Sequence, residues 1–355
     1  MSTKIRLAIA TAACAVVAGT VAAPAMAATT EGTITRSGVV TTTGIHKEAE
    51  LSGLTRAAGE TLVVNDKTGK NAAGKADVAT AVLSLPSGVN DRAQAQPLTQ
   101  LPDLDVQKLE GITTSPDGKT VFAISAFDRA TPSFNVLMAW PAGDPSAAQV
   151  VGGDAVSSQK LRAGIDKALG SPGFFKIEAV TATDSQLLLG VREIGPDYKS
   201  AAYTVTILAV DYRVAADGTV KLGDAVTKEW TMSAAQSKDL PKAPIGLSDL
   251  ALSADGRSLV MTTSYETSAQ TPDAVAGYLW QLDLSALRSG VDATLVRTEA
   301  GKPLTFTHKA EGVLPEGGSV IVLHDDDKRA TTVTTEGTER VRTMDEAPFD
   351  VVTMR

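Results

Sequence analysis

Leu109-Glu-Gly-Ile-Thr-Thr-Ser-Pro-Asp-Gly-Lys-Thr-Val-Phe-Ala-Ile-Ser125 decides how this chain is to be read. Two short apolar runs flank Asp117-Gly118, a dipeptide that folds a chain back on itself, so the stretch reads as a β-hairpin. The pattern returns four times. Its other openings are Leu51-Ser-Gly-Leu-Thr55, Ile177-Glu-Ala-Val-Thr181, Leu247-Ser-Asp-Leu-Ala251 and Ala310-Glu-Gly-Val-Leu314, each followed by a second apolar run. With Ser52, Glu110, Glu178, Ser248 and Glu311 taken as equivalent, the units recur every 58 to 70 residues. Asp255-Gly256 marks the turn in the fourth unit as Asp117-Gly118 does in the second.

Further strands follow each hairpin. Third strands are expected at residues 82–85, 136–140, 205–210 and 278–282, and fourth strands near 148–151, 220–222 and 293–297. Long amphipathic helical patterns are nearly absent; residues 157–169 are the one candidate, between two units. Small four-stranded sheets repeated in this way close best as a ring, which leaves only short edges. The expected fold is therefore an all-β β-propeller. Residues 33–43 precede the first unit and are rich in Thr and Val, so they are expected to pair with the last unit and close the ring. Five blades is the expected count; six follows if the two chain ends build a blade of their own.

Outside the repeats, the N-terminus reads as an export signal. Lys4 and Arg6 precede an uncharged apolar stretch from Leu7 to about Ala23, and Ala25-Met26-Ala27 has the small-x-small form that signal peptidase cuts. Residues 1–27 are thus expected to be a signal peptide and 28–355 a single secreted, extracellular domain. The only cysteine, Cys14, lies inside the signal, so the mature chain would rely on core packing without disulfides. The whole chain carries a net charge of −8, and loss of Lys4 and Arg6 takes it to −10. That balance excludes nucleic acid and anionic membrane as main partners, and no membrane insertion is expected after cleavage. The expected state is a monomer with a small-molecule or cell-surface ligand.

Three units open with Lys-x-Glu: Lys108-Leu-Glu110, Lys176-Ile-Glu178 and Lys309-Ala-Glu311. Residues two apart on a strand face the same side, so innermost strands would gather these groups at one mouth of the central channel. Asp249 and Ser52 are expected near the matching positions of the other two units. Such a ring of carboxylates suits a hard cation, with Ca2+ the expected occupant. Alternatively each Glu pairs with a Lys, and the ring is an ionic lattice. The lattice is preferred, because those lysines compete directly with a cation.

His324-Asp-Asp-Asp-Lys328 follows the second strand of the last unit, and Asp325, Asp326 and Asp327 there form a second candidate for calcium, set against a plain solvated loop. His46, His308 and His324 have no metal-site spacing, although His308 and His324 can approach across a hairpin; a general base at His324 is a minor candidate. Gly69–Lys75 nearly spells a phosphate loop but has Ala76 where the Mg2+-binding hydroxyl belongs, so it reads as a hairpin loop. Trp140, Trp230 and Trp280 fall in or beside strands and are expected to pack between blades.

The form Glu-Gly/Ala-aliphatic, then a turn and an apolar strand ending in Arg or Asp, resembles the secreted phytase-like propellers ("esterase-like activity of phytase"). Glu178-Ala-Val-Thr181 with Leu188-Leu-Gly-Val-Arg192, and Glu311-Gly-Val313 with Val322-Leu-His-Asp325, carry the likeness. It implies a calcium-associated propeller whose relatives hydrolyse phosphoric or carboxylic esters. A weaker likeness to lactonase propellers nominates Glu110, Glu178 and Glu311 as ligands of a central calcium. Ser52 and Ser248 depart from that pattern, and a dense Lys/Arg cluster for a polyphosphorylated substrate is missing. Two readings stand: a propeller binding a ligand or cation at the channel mouth, and a calcium-dependent ester hydrolase. A structural or partner-binding extracellular propeller is a third.

Overall fold

A computed structural model describes residues 30–355 apart from positions 46, 71–73, 75, 92, 234, 268–274 and 336. Residues 1–27, read from sequence as an expected signal peptide, and His46 therefore lie outside the described residues. Five four-strand units make a five-bladed β-propeller.

Each blade is an antiparallel meander whose first strand is innermost. Blade 1 runs Leu51–Ala57, Glu60–Asn65, Val82–Leu85 and Gln96–Pro97. Blade 2 runs Leu109–Thr114, Thr120–Ser125, Leu137–Pro141 and Gln149–Val151. Blade 3 has longer strands, Phe174–Ala182, Gln186–Gly195, Ala202–Val214 and Val220–Thr231. Blade 4 comprises Gly246–Leu252, Ser258–Glu266, Val275–Asp283 and Thr294–Leu295, with Thr305–Phe306 added on the third strand. Blade 5 takes Ala310–Glu316, Ser319–His324 and Glu346–Met354 from the C-terminal end of the chain and its outer strand, Gly32–Thr41, from the N-terminal side. That outer strand pairs antiparallel from Gly32↔Met354 to Thr41↔Glu346, which closes the ring as the Thr/Val-rich segment led one to expect.

The apolar residues sort by blade interface. Each of five core clusters joins two neighbouring blades: Val64 and Val82 meet Ile112 and Val121, for example, and Leu51 and Leu83 meet Leu323 and Phe349. Trp140 and Trp280 are fully buried and Trp230 nearly so, all three in these interfaces. Helix Gln159–Ala168 buries Leu161 and Ile165 against the interface of blades 2 and 3. Among the described residues, no helix is long and apolar enough to cross a membrane.

The hairpin turns are longer than a two-residue Asp-Gly loop. Ser115 N–H bonds Thr120 O at 2.8 Å, leaving residues 116–119 between the closing pair. Pro116 fixes the φ of the first turn position, and Gly118 takes φ +74°, so Ser-Pro-Asp-Gly sets the longer loop. Asp117 accepts bonds from Ser115 Oγ and Lys119 N, and Asp255 repeats this with Ser253 and Arg257.

Innermost strands crowd the axis, which explains the glycine or alanine after the ring position in blades 1, 2, 3 and 5. A Cβ on Gly53 would lie 2.8 Å from Ile112 N, and one on Gly312 would lie 2.3 Å from Ser52 O. Real Cβ atoms do not approach backbone so closely, so glycine is required where one inner strand passes the next.

Candidate functional site

The first hairpin of every blade carries an irregularity at the same place. The pairing skips between Leu51 and Leu54, Leu109 and Gly111, Ile177 and Ala179, Leu247 and Asp249, and Ala310 and Gly312. A β-bulge leaves one residue without a cross-strand partner and re-aims its side chain. The skipped residues include Ser52, Glu110, Glu178, Ser248 and Glu311, the five positions equated from sequence. Four of these line, with others, a cavity of about 650 Å³ at one mouth of the channel, to which all five blades contribute. Ser248 joins through Arg192, whose Nη1 donates to its Oγ at 2.9 Å.

Each Lys-x-Glu pair closes on itself and reaches beyond its blade. Lys108 Nζ lies 3.1 Å from Glu110 Oε1 and 3.1 Å from Asp66 of blade 1. Lys176 bridges Glu178 of its own blade and Glu110 of blade 2, the latter at 3.1 Å. Lys309 lies 2.9 Å from Glu311 and 3.6 Å from Glu266 of blade 4. Arg192, at the end of the second strand of blade 3, lies 3.7 Å from Glu178 and also donates to Ser264 Oγ at 3.0 Å, with Tyr203 stacked on its guanidinium. Ser52 Oγ donates to Glu110 Oε2 at 3.3 Å. The ring is thus an ionic lattice that crosses blade boundaries.

Ten carboxylates and seven cationic side chains line this mouth, so negative charge is in surplus and its distribution decides the protonation pattern. Burial raises the Glu110 carboxyl, but Lys108 and Lys176 together outweigh it and hold the group at about 2. Glu178 is raised to about 8 by burial and by the Glu110 charge, against the opposing pull of Lys176 and Arg192. Glu178 is thus held toward its protonated form while Glu110 stays ionised, because Glu110 has two lysines in direct contact. Burial also raises Asp325 and Glu50. Lys108 and Asp327 sit in left-handed backbone, φ +57° and +47°, a conformation that disfavours side chains and concentrates strain at the mouth.

The nominated residues divide into three groups. Glu110, Glu178 and Glu311 face the mouth together, each with an ammonium or guanidinium already against it. Asp249 faces away: one bulge position beyond Ser248, at the place held by glycine in blades 1, 2 and 5, it accepts Leu250 N–H at 2.8 Å and Val313 N–H of blade 5 at 2.8 Å. It fastens blade 4 to blade 5. The Asp325-Asp-Asp327 run, in the loop that follows the strand Ser319–His324, splits. Asp325 and Asp327 line the mouth, whereas Asp326 turns into the space between blades 4 and 5 and accepts from His308, Lys309 N and Thr331. His324 is fully buried; its Nε2 lies 3.0 Å from Asp350, and its ring packs 5.3 Å from that of His308. It does not line the mouth.

A calcium ion at the axis would have to displace Lys176, Lys309 or Arg192 from Glu110, Glu178 and Glu311, and the ring does not fit that role. A better donor set stands at the wall between blades 5 and 1, where oxygens of Glu50, Asp325 and Asp327 lie within 4.8 Å of one another. Lys309 stands 3.9 Å from both aspartates, and Lys67 2.7 Å from Glu50.

Several mouth residues escaped the sequence reading: Glu50, Asp66, Lys67, Arg129, Arg192 as a mouth residue, Tyr198, Tyr203 and Glu266. Asp66, Arg192 and Asp325 share one place, just past the partner of the residue that precedes the ring position, but blades 2 and 4 carry Ala126 and Ser264 there, which breaks the pattern. The half-phosphate-loop segment is partly described: Gly69–Lys70 pairs with Ala76–Asp77, the ribbon expected of a hairpin loop.

No family model matches this chain, and no curated protein matches it. Solved propeller structures do. A GH74 enzyme from Niastella koreensis aligns with TM-score 0.36 and 13% identity over 81% of this chain and 42% of that one. A member of the GH130 family, described as containing hydrolases of β-1,2 mannosidic linkages in Candida mannan, aligns with TM-score 0.40 and 7% identity over 86% and 84%. A glycosyl hydrolase from Bacteroides ovatus aligns with TM-score 0.40 and 8% identity over 86% and 84%. This chain spans less than half the length of the GH74 enzyme. With TM-scores of 0.40 and below, these likenesses carry no argument about this chain.

Proposed function

We propose that this chain is a binding propeller that takes a small, highly polar ligand at the charged mouth of its channel. One observation carries the reading: a single open cavity of about 650 Å³, reached by side chains from all five blades and lined almost wholly by ionised groups. Its size is that of a small-molecule site. Every wall group is already paired with its opposite, so an entering ligand must exchange partner for partner. That requirement selects molecules bearing donors and acceptors together, such as polyols, sugars, amino acids and other zwitterions. The surplus of carboxylates disfavours polyphosphates. Exposed Tyr198, with Arg129 and Lys67 at the rim, supplies adaptable contacts above the rigid floor.

Thermal melting with a panel of amino acids, sugars, sugar acids and sugar phosphates, in chelator, tests this. A bound compound at a hundred times its Kd stabilises the fold by about 2.7 kcal/mol. At least one zwitterionic or polyhydroxylated compound is expected to raise the Tm of the parent by several degrees, and less in an Arg129→Ala/Tyr198→Ala variant. A panel that leaves the melt unmoved, or an equal rise in both proteins, contradicts the reading.

The Glu50, Asp325 and Asp327 cluster supports a second reading, in which the mouth wall holds a divalent cation in addition. Raised carboxyls in a net-negative wall favour replacing protons by a cation. Calcium is then expected to raise the Tm and chelator to reverse it, an effect lost in Asp325→Asn. An identical melt in calcium and chelator removes this second reading and leaves the first standing.

A further inference from the structure

A second cavity, of about 620 Å³, opens between blades 4 and 5 and shares no lining residue with the mouth. Its walls are mixed: Pro241, Val275, Ala276, Phe306 and Ala330 present carbon, while Lys242, His308 and four threonines, Thr331 among them, present polar groups. Lys309 and Asp325 belong to the mouth; their chain neighbour His308 lines this cleft, and the fully buried Asp326 stands behind it.

His308 is held there in a defined orientation. Its Nδ1 lies 2.5 Å from Asp326 Oδ2, with the side chain only 13% exposed. Asp326 is itself pinned by Thr331 Oγ1 at 2.6 Å and by Lys309 N at 3.0 Å. A carboxylate accepts only, so the proton of the neutral imidazole is placed on Nδ1 and Nε2 is left with a lone pair. Among the described residues, Nε2 has no bonded partner. An oriented acceptor in a largely apolar cavity of this size is the arrangement of a small-molecule site.

We infer that the cleft between blades 4 and 5 is a second ligand site, in which His308 Nε2 accepts a hydrogen bond from the hydroxyl of a molecule with an apolar body. The charged mouth selects for polarity throughout the ligand; this cleft selects for one donor on a carbon frame.

Nitrogen-15 NMR of histidine-labelled mature protein tests it, with phenol as probe, toluene as its hydroxyl-free counterpart, and His308→Phe to assign the resonance. The His308 ring is expected to show the Nδ1–H tautomer, and phenol at millimolar concentration is expected to move its Nε2 resonance. Toluene should bind at least tenfold more weakly, and phenol should lose a similar factor on His308→Phe, which keeps an aromatic ring in place. An Nε2–H tautomer, an unmoved resonance, or equal binding of phenol to His308→Phe overturns the inference.

Discussion

Glu110 and Glu178 share Lys176, yet replacing them by glutamine should have opposite consequences. Glu110 is fully buried and held at about 2, against 4.5 for the free side chain. A depressed carboxyl contributes stability that is present above its unfolded value and lost as pH falls toward its folded value. At 1.36 kcal/mol per unit, the contribution at neutral pH is about 3 kcal/mol. Glu110→Gln also leaves two buried ammonium groups with one carboxylate fewer. Its expected cost at pH 7 is about 3 kcal/mol, or roughly 6 °C in Tm at about 2 °C per kcal/mol for a chain of this size. Glu178 has the reverse sign. Raised to about 8, it binds a proton that the unfolded chain releases, so its effect on stability is increasingly unfavourable as pH climbs from about 4.5 to 8. Glutamine resembles the protonated acid. Glu178→Gln is therefore expected to melt with the parent at pH 5 and above it at pH 8, by up to about 4 kcal/mol. Urea unfolding of parent and both variants at pH 5 and pH 8 measures all of this. Equal destabilisation by both substitutions, or a Glu178→Gln deficit that grows with pH, would refute the protonation pattern assigned to the ring.

Asp249→Ala removes the acceptor of two buried backbone N–H groups and should cost about 1–3 kcal/mol, with faster hydrogen exchange at Val313 as the local signature. Deleting residues 32–41 bares the edge of Glu346–Met354 and opens the ring. The truncated chain should lose its cooperative melt and aggregate, followed by light scattering. Arg129→Ala/Tyr198→Ala changes exposed rim groups and should leave urea stability within about 0.5 kcal/mol of the parent, which makes it a clean probe of binding.

The ring of blades was legible because its constraints repeat. Each inner hairpin must pass its neighbours on the axis, so Gly53, Gly111 and Gly312 recur beside the ring position, and Ser-Pro-Asp-Gly or Ser-Ala-Asp-Gly turns recur outside it. The Thr/Val-rich strand near the N-terminus was assignable because the last unit lacked an outer strand. The preferred lattice was likewise readable from Lys and Glu two residues apart.

What sequence did not reveal depended on irregular or non-local geometry. Alternation places side chains along a regular strand, but a bulge shifts the count by one, and so Asp249 turned to Val313 instead of joining the axis. The loop after His324, with Asp327 in left-handed backbone, brought Asp325 and Asp327 to the mouth and buried Asp326 against His308. Lys176 meets Glu110 across 66 positions of chain, and Arg192 meets Ser248 across 56, contacts fixed only when the ring closes. The first strand of blade 3 and the end of its second strand therefore looked like separate features until the fold brought them to one mouth.

A diffraction experiment on crystals soaked, in chelator, with the strongest compound from the melting panel tests the central claim most directly. The account predicts density for that compound in the mouth, within hydrogen-bond distance of Lys176, Arg192 or their partner carboxylates, its donors and acceptors taking the place of the pairings it displaces. Density elsewhere on the molecule, or a retained metal ion among Glu110, Glu178 and Glu311 with the lysines displaced, would contradict it.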